Sequence, residues 1–458
     1  MHNAIFWDSE LIRRYDRPGP RYTSYPTAVQ FHDGVGNAEL LMALHGSRRQ
    51  RRPLSIYVHL PFCANICYYC ACNKIVTKDH GRASGYLDLL EQELDLIAPQ
   101  LSAEQQVEQL HLGGGTPTFL SHDELRRLMD MLRARFSFTD DGDFGIEIDP
   151  RHADWATMGL LQELGFNRIS LGVQDLNPQV QAAINRRQSL EQISDLVDAA
   201  RALHFCSINM DMIYGLPRQG VTSFTDSLAK VIALQPDRLA LYNYAHLPER
   251  FKPQRRINAT ELPSPADKLA ILQGSIEQLI GAGYRYIGMD HFALPDDELS
   301  VAQETGQLRR NFQGYTTHGH CDLIGFGVTA ISQIGSLYIQ NTSNLDDYQK
   351  ALQNQKLPKV RGLKQNFDDR LRQAVIQQLI CFFELDFATI ETCFGIEFTS
   401  YFADAWPQLL QMAGDGLIRL SDQGIEVLPH GRLLVRSLCM LFDHYLAKVN
   451  RERFSRVI

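Results

Sequence analysis

The sequence predicts an α/β fold built on a parallel sheet, open or closed, followed by a smaller and mainly helical region. Three observations carry this. Strand-like and helix-like segments alternate six times between residues 54 and 245. The connections between them are short, which suits β-then-α units lying side by side. The unusual residues of the chain gather where those strands end, and the carboxyl ends of parallel strands are where such sheets bind ligands.

The elements follow in order. "LSIYVHL" (54–60) is a short apolar run of strand formers, and "YLDLLEQELDLIA" has helical periodicity. "VEQLHLGGG" is the next strand. The helix "SHDELRRLMDMLRARF" opens with a capping box, Ser121 with Glu124. "FGIEID" (144–149) is a strand and "WATMGLLQELG" a helix ending at Gly165. "RISLGVQ" (168–174), "SINMDMIYGLP" (207–217) and "RLALYNYA" (238–245) complete six strands, with "LEQISDLVDAARALH" and "FTDSLAKVIALQ" as the helices between them. Residues 265–283 read as a helix and "YRYIGMDHFA" as extended. Residues 294–320 read as polar and irregular, and "DLIGFGVTAISQIG" is glycine-spaced. Beyond about 360 the chain reads as helices with one hairpin, "GLIRLSDQGIEVLPHG", a winged-helix-like pattern. No internal repeat or low-complexity tract stands out.

The chain has 458 residues, more than one hydrophobic core usually fills, so a large domain plus a smaller one is expected. A net charge of −8 argues against a broad nucleic-acid surface while leaving room for a local basic pocket. No apolar run approaches the ~18 residues of a membrane span, and "MHNAIFWDSELIRRYDRPGP" has no signal-peptide core. A cytoplasmic location is therefore expected, with reduced thiols, so clustered cysteines read as metal ligands or redox groups before disulfides. Cys206, Cys321, Cys381, Cys393 and Cys439 are scattered and read as buried, inert thiols. The run Arg48–Arg52, with Gln50 inside, reads as a solvated charge run.

Four of the nine cysteines lie in "PFCANICYYCACNK". Cys63, Cys67 and Cys70 form C-x3-C-x2-C. Zinc sites want four ligands, usually from two separated knuckles, and no second knuckle exists. An ordinary [4Fe–4S] cluster also wants four thiolates. Three would leave one iron open to a substrate or cofactor. A zinc loop or plain thiols remain alternatives on the residues alone.

The spacing resembles that of the radical S-adenosylmethionine (SAM) enzymes. "GPRYTSYPT" (19–27), "YVHLPFCANICYYCACNK" (57–74), "HLGGGTPT" (111–118), "GFNRISLGVQD" (165–175), "DMIYGLP" (211–217), "YNYAHLPERF" (242–251) and "GMDHFALPDDEL" (288–299) resemble the oxygen-independent coproporphyrinogen III oxidase (dehydrogenase) family, from residue ~10 to the terminal "RFSRVI". The resemblance implies a partial (βα)6, three-quarter TIM-type barrel with an N-terminal extension (1–53), a core with following substrate-side segments (54–360) and a mainly helical, winged-helix-like C-terminal domain (361–458). It implies oxidative decarboxylation of two propionates of coproporphyrinogen III to vinyl groups, giving protoporphyrinogen IX by way of a 5′-deoxyadenosyl radical. It further implies one [4Fe–4S] cluster, two SAM per chain, a low-potential electron donor such as flavodoxin, and a monomer.

Site residues follow from the same resemblance. Cys63, Cys67 and Cys70 match the cluster ligands. Tyr57, Gly114 and Glu147 match the first SAM site. Tyr69, Gly115, Thr116, Gln174, Arg186, Asp211, Ala245 and Ile331 match the second, with Tyr69 standing where close relatives carry Phe. The glycines are expected to let a ligand approach bare backbone whose N–H groups are free. Arg186 is expected to grip a carboxylate in a fork. Cys72 is expected beside the substrate and not on the cluster. Arg17, Arg21, Arg309 and Arg310 are candidates to meet the substrate's propionates. Two other readings stand against this one. A haem-binding chaperone would use the same cluster fold without turnover. A winged-helix regulator would need a basic recognition face, which the C-terminal helices lack.

Overall fold

The computed structural model describes residues 4–446. Chain contacts divide them into two compact units. One comprises His32–Gln278 and His320–Lys364. The other comprises the segment up to Phe31, Leu279–Gly319 and the chain from Gln365 onward. This division is discontinuous in sequence, so it cuts the chain differently from the linear segments 1–53, 54–360 and 361–458.

The six predicted strands form the heart of the first unit: β1 (Leu54–Leu60), β2 (Gln106–Gly114), β3 (Ser137–Ile148), β4 (Arg168–Gln174), β5 (Ser207–Tyr214) and β6 (Arg238–Asn243). They pair in chain order, each parallel to the next. That is the order of successive βα units, and β1 and β6 do not close on each other. The other edge of β1 takes β7 (Asp322–Phe326) in parallel. Antiparallel β8 (Ile331–Ile334), β9 (Leu337–Asn341) and β10 (Lys359–Lys364) continue from there. Ile56, Leu110, Leu112, Ile146, Leu171 and Met210, which share one face of the sheet, are fully buried, whereas Tyr57, His111, Glu147, Ser170 and Asp211 alternate onto the other face and are only partly buried.

The helices read from Tyr86 and Phe224 begin earlier, at Gly81 and Val221, and Pro178–Ala183 is a further short helix, whereas two other helix ends fall where the sequence signals them. Ser121 caps His122–Arg133 and forms the reciprocal capping box with Glu124. Gly165, at φ +89°, ends the turn after Trp155–Glu163. Strand β3 begins seven residues earlier than its apolar core suggests, because "SFTDDGD" is polar yet pairs with β2.

In the second unit, "YRYIGMDHFA" is an antiparallel pair, Arg285–Gly288 with His291–Ala293. Residues 294–320 are not irregular. They hold a helix, Glu298–Glu304, capped by Asp297, and a hairpin of Arg309–Asn311 with Gly314–Thr316. The C-terminal hairpin is present as Ile418–Leu420 and Gly424–Val427. A third strand, Glu384–Asp386, joins it, and helix Phe367–Phe382 packs beside that strand. Only three residues long, that strand leaves no period-two signal. Cys381 and Cys439 are buried as expected, whereas Cys206 and Cys393 are exposed and Cys321 is half-buried. One apolar neighbour in sequence does not decide which side of an element faces the core.

Candidate active site

The strand ends create the site. Loop residues 61–74 leave β1 and fold back over the end of β2. The Gly115 N–H donates to Leu60 O (2.8 Å) and the Thr116 N–H to Phe62 O (2.8 Å). These bonds seat the cysteine loop at the carboxyl edge of the sheet, over a cavity of about 280 Å³. Cys63, Cys67, Cys70 and Cys72 all line it, as do Gly114–Thr116 from β2, Glu147 and Asp149 from β3 and its end, Gln174 from β4, and Asp211 from β5. Tyr69 and Arg186 complete the wall. Tyr57, Ala245 and Ile331 are not part of this lining. Tyr57 stacks on His111 (ring centroids 6.1 Å, 13°) and its hydroxyl meets His59 Nδ1 at 3.1 Å. Ala245 lies two residues beyond β6, and Ile331 opens β8.

The glycine run also answers to the protein's own packing. A Cβ at Gly113 would lie 2.9 Å from Glu147 Oε1. At Gly114, with φ +112°, it would strike the His59 ring, and at Gly115 it would sit 2.6 Å from the Phe62 carbonyl oxygen. The protein's own packing therefore demands the glycines. Their N–H groups are also engaged, that of Gly114 donating to Glu147 Oε2 at 3.1 Å.

Around the thiols the cavity is electropositive on one side. Arg186 Nη1 and Arg151 Nη2 both donate to Asp149 Oδ2, at 2.8 and 2.6 Å, and approach Cys67 Sγ at 3.6 and 3.5 Å. Arg186 Nη2 donates to the Gly172 carbonyl at 2.6 Å. The Arg186 fork is thus largely occupied by the protein itself, leaving Nε without a partner. Burial opposes charge on Asp149, but Arg151 and Arg186 prevail and hold its pKa at about 2. Thr116 Oγ1 approaches Cys63 Sγ at 3.5 Å, and Lys74 Nζ donates to the Cys70 and Cys72 carbonyls. A hydrogen bond from Cys72 lowers the Cys70 thiol to about 6 and raises Cys72, while burial pushes Cys63 up to about 11.

The opposite side is acidic. Burial acts to raise the Glu147 carboxyl, but His111 (3.4 Å) and the Gly114 N–H bring it below its usual range. Its side chain is 44% exposed, and that exposure is to the cavity it lines. Asp211 is pushed up to about 6, mainly by burial, despite hydrogen bonds from Asn209 (2.9 Å) and Ser170 (3.4 Å). Gln174 sits at φ +67° where a register shift in the β4–β5 ladder turns its amide inward, and its Oε1 lacks a partner. A cavity lined by the three C-x3-C-x2-C thiols and Cys72, by the carboxylates of Glu147 and Asp211, and by a guanidinium N–H and an amide oxygen left over fits an open-coordination iron–sulfur cluster and a zwitterionic cofactor.

Sequence reasoning passed over Arg151, His111, Lys74, Ser170 and Asn209. His111 stands inside "HLGGGTPT" and Arg151 follows the Asp149-Pro150 strand end, so position was the available signal.

A (βα)6 sheet with this loop defines the class. Residues 57–230 match the radical SAM superfamily and residues 367–434 the HemN C-terminal domain. The oxygen-independent coproporphyrinogen III oxidase of Pseudomonas aeruginosa is 65% identical over 460 residues, covering 100% of both chains. That of Escherichia coli K12 is 50% identical, covering 99% of each. The solved structure titled "Coproporphyrinogen III oxidase (HemN) from Escherichia coli is a Radical SAM enzyme" superposes with a TM-score of 0.92 at 48% identity, covering 97% of this chain and 100% of that one. The chain belongs to the oxygen-independent coproporphyrinogen III oxidase family of radical SAM enzymes.

Proposed function

We propose that the protein converts coproporphyrinogen III to protoporphyrinogen IX without oxygen, by oxidative decarboxylation of two propionates to vinyl groups in haem biosynthesis. The three C-x3-C-x2-C thiols of one loop, sharing a cavity with partnerless Arg186 Nε and Gln174 Oε1, carry the reading. When bound, a [4Fe–4S] cluster and SAM supply a reducing electron and a hydrogen-abstracting carbon radical.

The chain's own residues bind and aim. Cys63, Cys67 and Cys70 hold the cluster. Tyr57, Gly114 and Glu147 hold a first SAM. Glu147 is ionised at neutral pH and so offers acceptors to an ammonium or a hydroxyl group. Tyr69, Gly115, Thr116, Gln174, Arg186, Asp211, Ala245 and Ile331 hold a second, giving two SAM per chain. Asp149 fixes Arg186 and Arg151 against Cys67, so their positive charge stands ready without reorganisation. Cys72 faces the cavity beside the ligand thiols and serves the substrate side. A low-potential donor such as flavodoxin supplies electrons to a cytoplasmic monomer. Among the described residues, no helix is long and apolar enough to cross a membrane.

Anaerobically reconstituted enzyme with SAM, reductant and coproporphyrinogen III should release two CO2 per protoporphyrinogen formed. Haem bound with no CO2 released would sink the enzyme reading in favour of the chaperone.

A further inference from the structure

Away from the cavity, a second cluster of metal-ligating side chains lies near the amino ends of the strands. Glu108 is on β2, whereas His320 and Cys321 immediately precede β7. The carboxylate oxygen Glu108 Oε2 stands 2.7 Å from His320 Nε2 and 3.6 Å from Cys321 Sγ, and one ligand atom from each residue lies within 4.8 Å of the others.

The backbone is arranged to bring them together. The β1–β2 ladder steps from Leu54↔Val107 to Ser55↔Gln109, and the β2–β3 ladder from Val107↔Phe138 to Gln109↔Asp143. Glu108 is therefore left out of both pairings. A bulge of this kind re-aims a side chain. Here it turns the carboxylate across the start of β1, where Leu54 pairs with Asp322 on the far side, towards the two residues just before Asp322.

We propose that Glu108, His320 and Cys321 form a binding site for a zinc-class divalent transition-metal ion. The donor set is one carboxylate oxygen, one imidazole nitrogen and one thiolate sulfur. Each is an ordinary zinc ligand, and the thiolate disfavours magnesium and calcium. Metal–ligand bonds of about 2.0–2.3 Å in a tetrahedron put donors roughly 3.3–3.7 Å apart. The Glu108–Cys321 separation already meets this, and the Glu108–His320 hydrogen bond has to open by less than about 1 Å. His320 is 58% exposed, so water reaches the fourth position. On binding, the ion displaces the Cys321 thiol proton to solvent. It clips the start of β2 to the entry of β7 and is distinct from the iron site at the carboxyl ends.

The test uses holoenzyme with its cluster loaded, held anaerobically, titrated with Zn(II) against a chromophoric chelator and then dialysed for zinc and iron analysis. One zinc per chain is expected in addition to the cluster iron. Loss of a second-shell group alone costs about 10–100-fold in affinity. His320→Ala, Glu108→Gln and Cys321→Ser should therefore each weaken binding by at least about 100-fold, with iron unchanged. Wild-type holoenzyme retaining no zinc overturns the proposal. So does zinc that displaces iron and is indifferent to His320→Ala and Glu108→Gln.

Discussion

Asp149→Asn tests the electrostatics of the cavity wall. Asp149 is one carboxylate serving two guanidinium groups. Oδ1 accepts from Arg151 Nε at 2.9 Å and from the Arg151 backbone N–H at 3.1 Å, and Oδ2 accepts from both arginines. The side chains of Asp149 and Arg186 are each 7% exposed, so little solvent can replace the lost charge. The folded pKa of about 2 lies below the usual 3.8. At ~1.4 kcal/mol per unit, ionised Asp149 contributes about 2.5 kcal/mol. Removing the anion also leaves two buried cations uncompensated, a situation that typically costs about 3–5 kcal/mol. Because the folded value is depressed, the contribution is fully present above pH 3.8 and is lost only as pH falls through about 2. The penalty should therefore be the same at pH 7 and pH 5.5. Urea unfolding of apoprotein, followed by circular dichroism, measures it. The expected loss is roughly 3–5 kcal/mol, part of which Arg186→Met recovers when added to Asp149→Asn. A loss below about 1 kcal/mol, or one that vanishes between pH 7 and 5.5, would refute the reasoning.

Cys63→Ser, Cys67→Ser and Cys70→Ser should each lose the cluster by iron analysis. Cys72→Ser should keep it and turn over more slowly; wild-type rates would make Cys72 a bystander. Arg186→Ala removes a charge-assisted contact worth about 1.5–3 kcal/mol. Equilibrium dialysis should then show SAM falling from two per chain to one, and unchanged stoichiometry and affinity would end the two-site assignment. Asp211 has a raised pKa, so its ionisation costs stability as pH climbs from 3.8 through about 6. Asp211→Asn should stabilise apoprotein at pH 7.5 by up to about 3 kcal/mol, seen as a higher melting temperature, while weakening SAM binding. A destabilised variant would contradict the burial argument.

Much of this architecture was legible because the signals are local. Strands β1 and β4 begin and end where their apolar runs do, and the Ser121–Glu124 box reads directly from two residues. The cysteine loop was readable for the same reason, since all three thiols fall within eight residues. Segment 294–320 was not, because its helix has seven residues and its hairpin strands three each, too few for a period to emerge. The glycine run was found, but not the packing that also requires it. The atoms a Cβ would meet at Gly113, Gly114 and Gly115 belong to Glu147, His59 and residues 61–62.

The sequence by itself determined the order of six βα units and the strand ends that carry the site, and its resemblance to a known family supplied the class of chemistry. These depend on residue type and spacing along one short stretch of chain. Tertiary structure alone decided that Asp149 holds two arginines against Cys67, that the Arg186 fork is mostly spent on the protein, and that Glu108 meets His320 across 212 positions. The physical reason is range. Periodicity and capping act over a few residues, whereas charge pairing and metal-ligand geometry act through space, between groups that only the folded backbone, bulges included, brings within reach.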